Sequence, residues 1–256
     1  MSQTSKGTTQ TRIGIKALVI IAVLAIVYQI YISEFVDEEE ITFADFSYGI
    51  SSLAVGITAL FVYKRYKGSP IFGKTYLALA IGFIILFVGD STYNYYWMVL
   101  DEDPYPSIAD VFFIAFYFFT GYHLVKNIKY FKKDLGLLPK LGVPALAISM
   151  VVIFGVFTLE TLEDDPMVWL TSEIYVIASA AILSLALLGL TVFRNSVLGI
   201  AWFMLVIGIF LYSFADVWYY YLEEIEQFSI THPVNTLWLL SNMFMVYSLY
   251  KHKKTI

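Results

Sequence analysis

"GFIILFVGDSTYNYY", residues 82–96, returns as "GIFLYSFADVWYYY", residues 208–221, and this pair decides how the chain is built. Gly82 matches Gly208, Asp90 matches Asp216, Tyr93 matches Tyr219, and Tyr95 matches Tyr221. The register continues, shifted by one, into "DVFFIAFYFFTGYHLVK" from Asp110 and "NTLWLLSNMFMVYSLYK" from Asn235. There Phe113 meets Trp238, Tyr122 meets Tyr247, Leu124 meets Leu249 and Lys126 meets Lys251. Self-similarity sustained over about 45 residues fixes architecture ahead of any short motif, and it reads here as two copies of one unit.

The units are apolar. The chain has 256 residues, of which 59% are hydrophobic and 14% charged, with a mean hydropathy of +0.72; an average soluble domain is about a quarter charged. Apolar runs of roughly 18 to 25 residues recur along the length, each long enough for a helix to cross about 30 Å of hydrocarbon. Eight spans are expected, at 13–33, 44–63, 75–97, 108–125, 141–159, 168–192, 197–220 and 233–250, with no proline interrupting them beyond a first turn, where Pro144 and Pro233 stand. The first is too long for a signal-peptide core and ends in "EFVDEEE" without a small-residue cleavage site, so it reads as a retained helix. With no cysteine, disulfides, thiolate metal sites and thiol nucleophiles are excluded.

Charge orients the spans. All 16 Lys and Arg fall in the N-terminal tail, the second-to-third connection, the fourth-to-fifth, Arg194 or the C-terminal tail. The other four connections carry "EFVDEEE", "DED", "ETLEDD" and "EEIEQ", fifteen of the 21 acids. Lys and Arg stay in the cytoplasm, so an even number of spans with basic tails puts both termini inside a cell membrane. Residues 1–12 read as a disordered cytoplasmic tail, 13–133 as the first four-helix repeat and 134–256 as the second. Four helices per copy preserve orientation, giving a parallel repeat about an axis along the membrane normal. The expected fold is therefore an all-α integral membrane protein of eight transmembrane helices in two parallel repeats, with the lipid bilayer as its first partner.

Lys74 and Lys126 mark the inner boundary, and Asp90 and Asp110 each lie 16 residues beyond their marker. At about 1.5 Å per residue that is roughly 24 Å, in the outer leaflet. Asp216 and Asn235 take the corresponding levels in the second copy, while Asp45 and Glu173 are expected near the starts of the second and sixth spans. Six acid or amide groups thus form an expected ring at the outer mouth. For Asp110 there are two readings. In "PSIAD", Ser107 at the N-cap and Asp110 at N3 make a capping box; in "HPVN", His232, Pro233 and Asn235 take the N-cap, N1 and N3 positions. The alternative for both is a ligand contact. Asp90 and Asp216 lie well inside apolar helices, where an ionisable group costs about 3 kcal/mol and faces a partner or a cavity. Each either hydrogen-bonds a Tyr, a Ser or a neighbouring backbone, or serves a ligand or a proton.

"YNYYW", with Tyr93 and Trp97, and "WYYY", with Trp218 and Tyr219, read as an outer aromatic belt. Beside a carboxylate, the same rings suit a small cationic ligand such as an amine or a quaternary ammonium, and an acidic outer face concentrates cations there. Enzyme chemistry has little to stand on. Two of the three histidines, His123 and His252, sit at inner span ends and His232 outside, so a convergent metal or haem site is not expected. No lysine lies within the last span to anchor a retinal, and no P-loop, dinucleotide fingerprint or G-x-S-x-G elbow occurs. No cofactor, metal or nucleic-acid partner is expected. The basic loop "KNIKYFKKDLGLLPK", residues 126–140, suits anionic lipid or a cytoplasmic partner, though topology alone accounts for its charge.

"DEDPYPSIADVFFIAFY", residues 101–117, preceded by Asp90 and the Tyr/Trp-rich helix end, resembles the membrane-embedded N-terminal sensory domains of prokaryotic signalling proteins, notably histidine kinases and diguanylate cyclases. Asp90, Trp97, Pro104, Pro106, Ser107, Ala109, Asp110 and Phe113 carry the resemblance, over roughly 35 residues. It implies a non-enzymatic sensory or ligand-binding module. The sequence ends at Ile256 without a kinase, cyclase or PAS segment, so the output is expected in a separate cytoplasmic or membrane protein. Two rivals stand beside it: a small transporter with its site at the repeat interface, and a structural subunit of a larger membrane complex, which needs only apolar faces.

Overall fold

A computed structural model describes residues 13–37, 41–102, 104–131 and 136–255. The tail at 1–12 and the repeat boundary at 133/134 lie outside them. Among the described residues the elements are helical throughout: α1 (Ile15–Phe35), α2 (Ala44–Arg65), α3 (Phe72–Tyr95), α4 (Ala109–Phe131), α5 (Leu137–Phe157), the short α6 (Leu159–Asp164), α7 (Pro166–Phe193), α8 (Gly199–Glu224) and α9 (Val234–Thr255). A π-helical turn, Tyr96–Leu100, extends α3 and ends at Asp101 in the left-handed region, φ 54°.

Seven helices, namely α1 to α5, α7 and α8, are long and apolar enough to cross a membrane, which is compatible with a multi-pass membrane protein. The expected eighth span corresponds to α9, a 22-residue helix that falls short on apolarity. Asn235, Ser241, Asn242, Ser248 and His252 are buried along it, and their polarity outweighs its Leu, Phe and Met. Other boundaries differ from expectation too. Helix α5 starts at Leu137, four residues before the expected span, so Pro144 lies in the second turn of the helix rather than in its first. Helix α7 starts at Pro166, with Asp165 as N-cap accepting from Met167 and Val168 backbone N–H at 3.0 and 3.2 Å. That cap leaves Glu173 two turns into the helix, not at its start.

Contacts between helices run in a circuit: α2 on α3, α3 on α4, α4 on α7, α7 on α8, α8 on α9 and α9 back on α2. Helices α1 and α5 stand outside it, α1 on α9 and α5 on α7. Both turn large apolar side chains outward, among them Val19, Ile26, Ile148 and Val156, as helices facing lipid or a partner do. The seams α3–α4 and α8–α9 are tight because small residues let the backbones approach. A Cβ at Gly82 would stand 2.9 Å from the Phe119 Cβ, and one at Gly208 would stand 2.6 Å from Met245 Cγ and 3.0 Å from the Ser241 carbonyl oxygen.

The two ends of the bundle are chemically distinct. At the end rich in Lys and Arg, the Gly14 backbone N–H donates to the Tyr247 hydroxyl at 2.8 Å, and Tyr66 donates to the His252 carbonyl at 3.3 Å. At the acidic end, Thr236 of α9 donates to Gln29 of α1 at 2.7 Å. The six-helix circuit encloses polar side chains at the acidic end.

Candidate functional site

A cavity of about 390 Å³ opens inside that circuit, lined from all six helices and covered at the acidic end by Pro104 and Phe228–Ile230. On α3 its lining runs from Leu86 to Trp97, about 16 Å along the helix axis. Six of the eight residues singled out in the sequence line it: Asp90, Asp216, Tyr93, Tyr219, Trp97 and Asn235. The matched pair Tyr93 and Tyr219 meet there, hydroxyl to hydroxyl at 3.5 Å. Trp97 belongs to the π turn and lines the cavity from there. Trp218 points elsewhere. Its ring packs edge-on against His232, centroids 4.9 Å apart, and against Phe214, so it fits the aromatic-belt reading and not a cavity wall.

Asp110 does not line the cavity. Its Oδ2 accepts from the Ser107 backbone N–H at 2.6 Å, and Ser107 Oγ accepts from the Ala109 N–H at 3.1 Å, as the capping reading requires. Its Oδ1 takes a hydrogen bond from the Tyr175 hydroxyl, which makes the same carboxylate a strut from α4 to α7. Asp45 repeats the capping arrangement on α2. Its Oδ2 accepts from the Thr42 N–H at 2.6 Å, while Thr42 Oγ1 accepts from the Ala44 N–H at 3.2 Å.

Asn235 works differently from Asp110. Its amide nitrogen donates to the carbonyls of Ser229, Ile230 and His232 at 3.1, 2.9 and 3.2 Å, so it holds the loop over the cavity instead of accepting from the N-cap. The capping falls to His232, whose Nδ1 accepts from the Val234 N–H at 3.2 Å. Desolvation lowers the His232 pKa from its ordinary 6.5, favouring the neutral ring that this cap needs. Glu173 leaves the expected ring entirely. It faces α5, where Gly155 makes room: a Cβ there would come within 2.5 Å of Glu173 Oε1.

The two matched aspartates have opposite surroundings. Asp216 accepts three hydrogen bonds, from Tyr117 of α4 at 2.5 Å, Ser179 of α7 at 2.6 Å and Trp238 of α9 at 2.9 Å. It joins four helices. Asp90 is 8% exposed, and its Oδ2 has no hydrogen-bond partner among the described residues. Ser52 stands beside it, but the Ser52 hydroxyl donates to the Tyr48 carbonyl at 3.0 Å. Gly49 on α2 makes room for this carboxylate, since a Cβ there would lie 3.1 Å from the Asp90 Cβ and 3.5 Å from Oδ2.

The walls include residues that the sequence reading passed over. Tyr48, Ser52, Tyr117, Tyr175, Tyr212, Trp238 and Asn242 all line the cavity. A signal for some of them exists: Asp45, Tyr48 and Ser52 on α2 have the same i, i+3, i+7 spacing as Ser172, Tyr175 and Ser179 on α7. That spacing puts each set on one helical face. At the basic end, His123 and His252 pack on the Tyr76 ring, each at a centroid distance of 4.7 Å. Among the described residues no group of three or more His, Asp or Glu is placed to hold a metal ion. Compared with protein-family models, curated proteins and solved structures, the chain has no match.

Proposed function

We propose that this is an eight-span membrane protein of two parallel four-helix repeats, both termini cytoplasmic, that acts as a non-enzymatic sensory or ligand-binding module through the cavity at its outer mouth. The observation that carries the reading is Asp90, a buried carboxylate with an unpartnered oxygen on a cavity of about 390 Å³. A buried carboxylate oxygen left without a donor is costly unless something that binds offsets the cost. The cavity size also falls within the range of small-molecule pockets, about 300–1,000 Å³.

The repeat draws support from contacts that recur at the alignment shift. Gly82 packs on the Phe116 carbonyl and Thr120, as Gly208 packs on the Ser241 carbonyl and Met245. His123 bonds the Thr75 carbonyl at 3.0 Å, as Ser248 bonds the Ala201 carbonyl at 2.7 Å. Tyr117 bonds Ser179 across α4–α7 at 2.9 Å, as Asn242 bonds Ser52 across α9–α2 at 3.3 Å. Helix α9 completes the circuit, and this favours an eighth span whose polar side chains are satisfied inside the bundle. The resemblance to sensory domains of signalling proteins agrees with a binding role.

The cavity also sits between the two sets of helices, and that position favours a second reading, a small carrier with its site at the repeat interface. Intact-complex mass spectrometry of protein extracted in mild detergent tests the first: a small molecule should co-purify and be lost on Asp90→Asn. Retention of that molecule by Asp90→Asn removes the cavity site. Asp90-dependent flux through proteoliposomes would instead establish the carrier.

A further inference from the structure

We infer that the ligand is an organic cation carrying N–H donors, a protonated primary amine or a guanidinium, whose head lies between Asp90 and Asn242 and which presents a second donor toward Asn235. This rests on the cavity reading above and names the ligand's chemistry.

Three residues lining the cavity carry a buried oxygen with no hydrogen-bond partner among the described residues: Asp90 Oδ2, Asn235 Oδ1 and Asn242 Oδ1. Both asparagines are 1% exposed. Their amide nitrogens are committed, Asn235 to the loop carbonyls and Asn242 to Ser51 at 2.8 Å and Ser52 at 3.3 Å. Turning the Asn235 amide over would set its oxygen against three carbonyl oxygens, so its free end is an acceptor. Buried polar atoms in folded proteins are paired almost without exception, and a cluster of unpaired acceptors in one cavity asks for donors.

Three acids line the cavity. Asp216 already receives three donors, and Asp45 accepts from Thr42 within its own cap, so the acid whose Oδ2 is left without a donor is Asp90. Asp90 and Asn242 both lie against Ser52, from α3 and α9, which brings the two side chains together. A compact head with two or three N–H groups bridges such a pair; a quaternary ammonium has none to give and an anion is repelled. Asn235 lies seven residues from Asn242 on the same helix, about 10 Å toward the mouth, where a second donor would reach it. Between these levels the wall is aromatic, with Tyr93, Tyr219 and Trp238 suited to a flat or apolar middle section.

The test is binding to wild-type protein in nanodiscs by isothermal titration, with tyramine, its N-trimethylated derivative and tyrosol as probes. Tyramine should bind more tightly than either comparator by about tenfold or more, the effect of leaving one buried acceptor unpaired. Asn242→Leu should reduce tyramine affinity by a similar factor and leave the trimethylated probe unchanged. The comparison among ligands needs no variant, so it holds even where Asn242→Leu does not fold. Equal affinity for tyramine and its trimethylated form overturns the inference and leaves the cavity reading intact. Binding of none of the probes also overturns it, and the cavity reading then rests on whether a co-purified molecule is lost on Asp90→Asn.

Discussion

Replacing each of the two matched aspartates by asparagine should affect stability in opposite directions. Asp216 is the acceptor for Tyr117, Ser179 and Trp238 at 2.5 to 2.9 Å. An Asn keeps one oxygen and turns an N–H₂ toward a second donor, so one hydrogen bond at least is lost and one buried donor is stranded. Hydrogen bonds between membrane helices are worth about 0.6 kcal/mol on average and up to 1.7, and a stranded buried donor costs about 1–3 kcal/mol. Asp216→Asn should thus destabilise the bundle by about 1–3 kcal/mol. At Asp90 no partner of Oδ2 is lost, and removing a carboxylate from the span relieves a cost of up to about 3 kcal/mol. Asp90→Asn should therefore be neutral or stabilising in the absence of ligand. Thermal unfolding in one detergent, followed by helical circular dichroism, should lower Tm by about 2–12 °C for Asp216→Asn and leave Asp90→Asn at or above the parent. Equal losses for both, or a larger loss at Asp90, would refute the assignment of a structural acid and a free one.

Tyr117→Phe removes one donor to Asp216 and the contact to Ser179, and should destabilise by about 0.6–1.7 kcal/mol in the same assay. Gly208→Ala drives a methyl into Met245 and the Ser241 carbonyl, so a loss of about 1–3 kcal/mol is expected, measurable as a fall in Tm. Glu226 ends α8 at φ 53°, with its own N–H on Glu223 O at 3.0 Å and the Gln227 N–H on Leu222 O at 2.8 Å, a Schellman close. Glu226→Gly should stabilise by roughly 0.5–1 kcal/mol by relieving the left-handed backbone. His232 caps α9 as a neutral ring with a folded pKa below its ordinary 6.5. The folded state then binds fewer protons than the unfolded, so stability is present above about pH 6.5 and is lost as pH falls through the lowered value. Tm should rise between about pH 5 and pH 7 in the parent and vary less in His232→Asn, which caps without titrating. The chain has no cysteine, so single substitutions at Glu163 and Ser196 report topology cleanly: impermeant maleimide on whole cells should label the first and not the second.

Much of this was legible because charge and periodicity are direct physical signals. The capping role of Asp110 follows from Ser107 three residues before it, and Thr42 before Asp45 carries the same signature. The difference between Asp90 and Asp216 was not legible from the residues alone, because both sit in matching Gly- and Tyr-rich frames. It arises from the facing helix, where Tyr117 reaches Asp216 while its counterpart Asn242 turns to Ser51 and Ser52. In the sequence Trp238 stands only as the match of Phe113, and packing shows its indole N–H on Asp216. Glu173 was misplaced because the start of α7 is set by Asp165 and Pro166, a cap signal lying before the apolar run begins. The span at 233–250 reads as an apolar run through its Leu, Trp, Phe and Met, a reading that gives too little weight to the amides and hydroxyls that make α9 polar.

That polarity of α9 bears on how the protein is made. A helix too polar to partition into lipid alone enters only against partners that already wait to receive its side chains. Ser241 and Ser248 donate to carbonyls of α8, Asn242 donates to α2, and Trp238 donates to Asp216. On the eight-span reading proposed above, insertion of α9 and completion of the cavity are one event in biogenesis: the chamber closes when the docking of this helix seals the circuit, and a chain whose α9 fails to dock has no chamber.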